Sequence, residues 1–237
     1  AAMRDNGSFG DHNTLGVSSG FAQMNAVQDV TKRRWEVRDA RGIPMATRRA
    51  FKEALTMPTG PVYLAFSGEA LDAKNVEANI QAGEEVEIAQ VPDTSVIEKI
   101  HDALLNAKNP LLVVGPDVAN VKAQRELLEI AENYALPVAI NFFDYGSFPP
   151  THPNYIGMVD GVADDEHDVV CCIGYRPNTR ANPTDDRFPD AFKIGIGHDP
   201  SMLGNTFALD LDIWSNVKKA LVALNAQWNP ADTNLHH

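Results

Sequence analysis

Apolar and polar positions change rhythm several times along the chain, and each rhythm predicts an element. Residues 1–30 are rich in Gly, Ser and Asn and show little periodicity. From Ile43-Pro44 onward, Met45, Ala46, Ala50, Phe51, Ala54 and Leu55 fall at helical spacing, which predicts a helix over about 43–56. Pro44 suits its first turn, where a missing N–H leaves no bond unmade. Met57-Pro58-Thr59-Gly60 stops the helix, and Pro61-Val62-Tyr63-Leu64-Ala65-Phe66 reads as a short buried strand. Polar and acidic residues dominate 72–92, as in an exposed crossing between domains.

Beyond that crossing the alternation becomes regular. Asp93 or Thr94 caps a helix whose apolar face is Val96, Ile97, Ile100, Leu104 and Leu105, and Asn109-Pro110 ends it. Leu111-Leu112-Val113-Val114 is a continuous apolar run, as in a parallel strand covered on both faces. The turn Gly115-Pro116-Asp117, a helix over about 121–134 and a strand over 136–140 follow, then a long loop over about 141–163. Further strands are expected at 168–173, 192–196 and 207–210, and a closing helix over about 213–226. This order implies an α/β fold, a Rossmann-like doubly wound parallel sheet. An incomplete α/β segment precedes it, because the helix and strand within 43–66 need further neighbours to cover their apolar face.

Composition narrows the function classes. A hydrophobic fraction of 44% and a charged fraction of 22% in 237 residues suit an ordinary globular chain with a sizeable core. The formal net charge of -12 argues against nucleic-acid partners and against docking on anionic membranes. The densest basic stretch, Lys32-Arg33-Arg34 with Arg38 and Arg41, is short and broken by Glu36 and Asp39. No apolar run approaches the ~20 residues of a membrane span, and residues 1–6 carry no signal-peptide hydrophobic stretch. The adjacent Cys171 and Cys172 sit in an apolar run and point to opposite faces of a strand, so they read as buried small hydrophobes. The lack of a disulfide framework favours the cytoplasm.

A few groupings have chemically useful residue types. Gly115-Pro116-Asp117 joins a strand to a helix, where main-chain amides can meet a phosphate, yet no second glycine completes a dinucleotide fingerprint. Gly174-Tyr175-Arg176 lies at the carboxyl end of a strand, where open sheets place ligands, and Arg176 is either a phosphate partner or a solvated loop residue. Asp199 ends the fourth strand of the series, either accepting from a ribose or capping its own turn, with the turn role favoured. The run Asp164-Asp165-Glu166-His167-Asp168 cannot converge on one ion and reads as a solvated acidic turn. His12 and His152 have no evident catalytic partner, and Ser19 and Ser67 lack the GxSxG context of a nucleophile.

Several segments together resemble the thiamine-diphosphate-dependent enzymes of the acetolactate synthase and benzoylformate decarboxylase kind. Val30-Thr31-Lys32 and the stretch from Phe51-Lys52-Glu53-Ala54-Leu55 through Gly60-Pro61-Val62-Tyr63-Leu64 resemble the end of that family's pyrimidine-binding domain. Asn109 through Asp117, Leu136-Pro137-Val138, Phe148-Pro149-Pro150-Thr151-His152-Pro153 with Gly157, His167 through Gly174, and Lys193 through Pro200 resemble successive segments of its central domain. The resemblance implies 1–71 as the C-terminal part of the pyrimidine-binding domain, 72–92 as linker, 93–229 as central domain and 230–237 as tail. It implies thiamine diphosphate and magnesium as cofactors and a 2-oxo acid as substrate, in a decarboxylase or an acetolactate synthase-like enzyme. It also implies FAD or ADP in the central domain of some members, held here through Gly115, Asp117, Gly174, Arg176 and Asp199.

The family's activating glutamate and its Gly-Asp-Gly motif have no counterpart in this sequence; Asp160-Gly161 follows Val159. The expectation is therefore a fragment with no catalytic residue or metal ligand of its own, completed by missing domains of the same protein and by homo-oligomer formation. The alternative is a stand-alone, non-catalytic module that binds an adenine nucleotide or serves assembly.

Overall fold

The computed structural model describes residues 2–3, 23–83, 86–141, 144, 146–175, 187–205 and 207–230. Contacts divide the chain into two units, 1–87 and 88–237, and the division falls inside the segment read as a crossing. No helix or strand lies between 73 and 93 among the described residues, and most of that segment is exposed.

The first unit is built on a three-stranded parallel sheet of β1 (Ala2–Met3), β2 (Arg33–Val37) and β3 (Val62–Ser67), in the order β1-β3-β2. A short helix, α1 (Gln23–Ala26), precedes β2. The predicted helix is α2 (Ile43–Leu55), with proline in its first turn and Ala46 and Ala50 buried. The carbonyls of Glu53 and Thr56 at its end accept from Lys32 Nζ, both at 2.7 Å, a cation placed where the helix dipole is negative. Of the basic stretch, Arg33 and Arg34 lie in strand β2, while Lys32, Arg38 and Arg41 lie outside it. Ser67 stands between β3 and the short helix α3 (Gly68–Asp72), fully buried, its Oγ accepting from the Ala70 amide at 3.1 Å. That serine is a helix cap.

The second unit contains a six-stranded parallel sheet. Helix α4 (Thr94–Asn106) leads into β4 (Pro110–Val114), followed by α5 (Asp117–Asn120), α6 (Gln124–Asn133), β5 (Val138–Ile140) and β6 (Tyr155–Met158). The chain then returns to β7 (Val169–Ile173) and runs outward through β8 (Phe192–Gly197) and β9 (Leu211–Trp214) to α7 (Val217–Asn225). The strand order β6-β5-β4-β7-β8-β9 starts at the middle, moves to one edge, crosses back and moves to the other. That is the doubly wound Rossmann order, with its topological switch between β4 and β7. Every residue of β4 and β7 is buried, as their uninterrupted apolar runs require. Leu112, Val114, Cys171 and Ile173 face α4, α6 and α7, while Leu111, Val113, Val170 and Cys172 face Val159, Phe188 and Phe207. The two cysteines therefore do point to opposite faces.

Four expectations are corrected here. The helix read over 121–134 is α6, which starts only at Gln124, and a separate short helix, α5, precedes it, because Lys122 adopts φ 56° and the amides of Lys122 and Ala123 turn back to the carbonyls of Ala119 and Val118. Ala135, at φ 50°, ends α6 in the same way. Both are left-handed caps of a kind that glycine usually announces, and here it does not. The loop read over 141–163 contains β6, whose apolar Ile156 and Met158 are exposed on an edge strand, so its burial pattern is weak. The strand read at 207–210 is β9, shifted to Leu211–Trp214, while Phe207 is buried in the second cluster. The closing helix begins at Val217 and not at Ile213, because the Asn216 side chain accepts from the Lys219 amide at 3.1 Å and fixes the start.

Candidate functional site at the carboxyl edge of the sheet

The switch point brings three of the sequence-predicted residues together. Gly115 follows β4 and Gly174 follows β7, so both turns leave adjacent strands at the same edge. A Cβ on Gly115 would lie 2.2 Å from the Gly174 carbonyl oxygen and 2.6 Å from the Tyr175 Cα. Gly174 adopts φ +57°, and a Cβ there would come within 2.8 Å of the Asp117 Cβ. The Gly115 amide donates to the Ile173 carbonyl at 3.0 Å, the Asp117 amide to Gly174 at 3.5 Å and the Val118 amide to Gly115 at 3.3 Å. These amides are the ones a diphosphate would need, and each is committed within the protein. The Asp117 side chain, 2% exposed, brings a carboxyl group to the same helix start. The turns interlock through these main-chain bonds.

A latch closes the same edge from the β5 side, and sequence reading did not identify it. The Ser147 Oγ donates to the Gly115 carbonyl at 2.9 Å, and the Ser147 amide donates to Asp144 Oδ1 at 3.1 Å. The Asp144 amide in turn bonds the Asn141 carbonyl at 2.9 Å, and the Asn141 amide the Val114 carbonyl at 2.9 Å. The signal was present: an aspartate three residues before a serine in a loop is a common local hydrogen-bonding pattern.

Asp144 Oδ2 is buried and has no hydrogen-bond partner among the described residues. Burial pushes the Asp144 carboxyl above its ordinary pKa, against the two bonds from Ser147 that lower it. The folded chain therefore holds this proton to higher pH than the unfolded chain, so this group's contribution to stability is lost as pH rises through the folded pKa. Glu126 and Asp168 act in the opposite sense. Burial opposes their charge, but hydrogen bonds and, for Glu126, the nearby Lys218 and Arg125 win, so both are lowered. Asp144→Asn keeps an acceptor for the Ser147 amide and removes only the Asp144 titration. Urea midpoints of parent and variant should therefore diverge as pH rises above about 4, the parent losing ground relative to the variant. Parallel curves would mean that Asp144 titrates as an ordinary surface carboxyl.

The other candidates do not join this cluster. The Asp199 carboxylate accepts from the Ser201 amide at 3.0 Å and the Ser201 hydroxyl at 2.6 Å, closing its own turn. Arg176 and His12 lie outside the described residues. His152 faces Glu132 at 3.3 Å, and the buried His198 holds the Ser215 carbonyl at 3.0 Å through Nδ1. In the acidic run, Asp168 accepts from the amides of Lys108 and Asn109, while Asp164 pairs with Arg187 at 2.5 Å. Among the described residues no group of three or more His, Cys, Asp or Glu is arranged to hold a metal ion. Burial pushes both thiols up, that of Cys171 to about 12, which leaves them unreactive.

Fold and site together define a doubly wound α/β domain whose switch point is filled by its own turns. Residues 97–224, more than half of the chain, match the family model described as thiamine pyrophosphate enzyme, central domain. The chain belongs to the thiamine pyrophosphate enzyme family, and this region is its acetolactate synthase-like central domain. It is 28% identical over 230 residues to the acetolactate synthase large subunit of Corynebacterium glutamicum, an alignment covering 88% of this chain and 36% of that protein. Benzoylformate decarboxylase from Polynucleobacter necessarius shares the fold with a TM-score of 0.73 at 21% identity, over 97% of this chain and 44% of that one. The thiamine diphosphate-dependent 4-hydroxybenzoylformate decarboxylase of Rhodococcus jostii RHA1 does so with a TM-score of 0.77 at 20% identity, over 100% and 46%. The chain thus spans little more than a third of that curated relative and under half of those two solved structures.

Proposed function

We propose that this chain is the central domain, with part of the pyrimidine-binding domain, of a thiamine-diphosphate- and magnesium-dependent enzyme acting on a 2-oxo acid. The match of residues 97–224 to the family's central domain carries this reading. The boundaries proposed are 1–71 for the pyrimidine-side part, 72–92 for the linker, 93–229 for the central domain and 230–237 for the tail. When bound, the cofactor supplies a sink for the carbanion left after decarboxylation. The sequence lacks the family's Gly-Asp-Gly, and no step is assigned to a residue of this chain. Its part is to build a rigid domain beside the active site and to shape subunit packing. A cytoplasmic homo-oligomer, completed by further domains of the same protein, is the proposed setting. The committed amides at Gly115, Asp117 and Val118 favour a structural role for the switch point over FAD or ADP binding. Nothing in the relatives supports the stand-alone module.

The test is the intact mass of the polypeptide made from its native gene, together with carbon dioxide release from benzoylformate and pyruvate. A mass well above 25.9 kDa and turnover dependent on thiamine diphosphate and magnesium are expected, with none from the 237-residue chain alone. A native polypeptide of 25.9 kDa would overturn the reading.

A further inference from the structure

The end of the crossing is fastened to the second unit by a residue with two tasks. Asn216, just before α7, accepts from the Lys219 amide through Oδ1 and so caps the helix. A cap needs only that oxygen. Here Nδ2 also donates to the Ile88 carbonyl at 3.1 Å, and the Asn216 amide donates to the Gln90 carbonyl at 3.1 Å. Aspartate would cap as well but has no hydrogen to donate, whereas asparagine does both through one amide group. Ile88 is half-buried, and residues 86–93 carry no helix or strand. The contact division of the chain falls between Glu87 and Ile88, so residues 88–92 go with the second unit although their composition reads as linker.

The fastening point adjoins two polar atoms that the fold leaves unsatisfied. Ser215 and Val217 flank Asn216, and both reach the His198 ring. Its Nδ1 lies 3.0 Å from the Ser215 carbonyl and 3.4 Å from the Val217 amide. His198 is 3% exposed and Ser215 is fully buried. Nε2 of His198 and Oγ of Ser215 have no hydrogen-bond partner among the described residues. Atoms in that condition are rare, because each has given up its bonds to water without replacing them. Both stand at the carboxyl ends of β8 and β9, where Asn216 grips the crossing.

We propose that residues 88–90 form a strap, fastened by Asn216, which closes over the carboxyl ends of β8 and β9 and opens as a unit to let water reach His198 and Ser215. Closing gains the bonds to Asn216 and leaves two polar atoms dry. Opening reverses both effects, so the two states lie closer in free energy than a fully satisfied contact would allow. The strap rests on bonds within the second unit, so neither the uncovered faces of the first unit nor the proposed enzymatic role enters.

The experiment measures amide hydrogen exchange by NMR in the full 237-residue chain, in the parent, Asn216→Asp and Asn216→Ser. Both replacements keep an acceptor for the Lys219 amide and remove the Nδ2 donor; the serine hydroxyl ends one bond short of it and brings no charge. Protection at residue 216, whose amide is held by Gln90, should fall about fivefold or more in both variants. Ala220, whose amide bonds the residue-216 carbonyl at 2.9 Å, should keep its protection. Mass spectrometry after brief treatment with diethyl pyrocarbonate gives a second readout: His198 should be modified faster in both variants than in the parent, with His152 unchanged. Unchanged protection at residue 216 would overturn the proposal. So would an equal loss at Ala220, which would mean that α7 frays, or unchanged labelling of His198.

Discussion

Gly115→Ala is expected to cost about 3 kcal/mol or more and to lower the melting temperature of the second unit by about 6–12 °C. The added methyl would sit 2.2 Å from the Gly174 carbonyl oxygen, 2.6 Å from the Tyr175 Cα and 2.8 Å from the Gly174 carbonyl carbon. All three atoms are main chain, so no side chain can swing away to make room. Gly174 cannot yield easily, because it is held at φ +57° and donates its own amide to the Ile196 carbonyl at 2.7 Å. The turn after β4 would have to move instead, breaking the Ser147 bond to the Gly115 carbonyl and disturbing the start of α5. Gly161→Ala is the control. Its Cβ would meet nothing within 4 Å, so its effect should stay within about 0.5 kcal/mol. Thermal unfolding followed by circular dichroism checks both. Near-neutral behaviour of Gly115→Ala would mean that the two turns are not interlocked in solution.

The fold was legible wherever burial on both faces left an unbroken apolar run or one helix face. Strands β4 and β7 and helices α2 and α4 fall within a residue or two of where their patterns place them. What the sequence hid was hidden for physical reasons. Lys122 and Ala135 end helices in the left-handed conformation without the glycine that normally signals it. Edge strands β2, β6 and β9 need only partial burial, so Arg34, Ile156 and Trp214 are free to blur the alternation. At the candidate site the glycines were legible, since Gly115 and Gly174 follow predicted strands. Their purpose was not, because sequence places each at a strand end but cannot show that the two turns fill the same space. The Asp144–Ser147 latch was missed because its partner, the Gly115 carbonyl, lies 32 residues earlier in the chain. A main-chain acceptor leaves no trace in residue type.

Tyr134→Ala should cost about 3–5 kcal/mol, comparable to the largest single truncations in protein cores. Tyr134 is the residue after α6, fully buried among α4, α6 and the C-terminal segment. Its ring lies 5.7 Å from His101 of α4, edge to face, and 4.9 Å from Trp228 beyond α7. Its hydroxyl is 2.6 Å from His101 Nδ1, a bond joining residues 33 apart. Truncation removes the packing of three segments at once and leaves a cavity that rigid helices cannot collapse into. Tyr134→Phe separates the parts: it keeps the rings in contact and removes only the hydroxyl, so about 1 kcal/mol should be lost. Trp228 provides a second readout, since loosening its contact with residue 134 should change tryptophan emission in the alanine variant and barely in the phenylalanine one. His101→Ala in the Tyr134→Phe background should cost less than in the parent, because their shared bond is already gone. Full additivity of that pair would show that the bond between the hydroxyl and His101 contributes nothing to holding α4 against the end of α6.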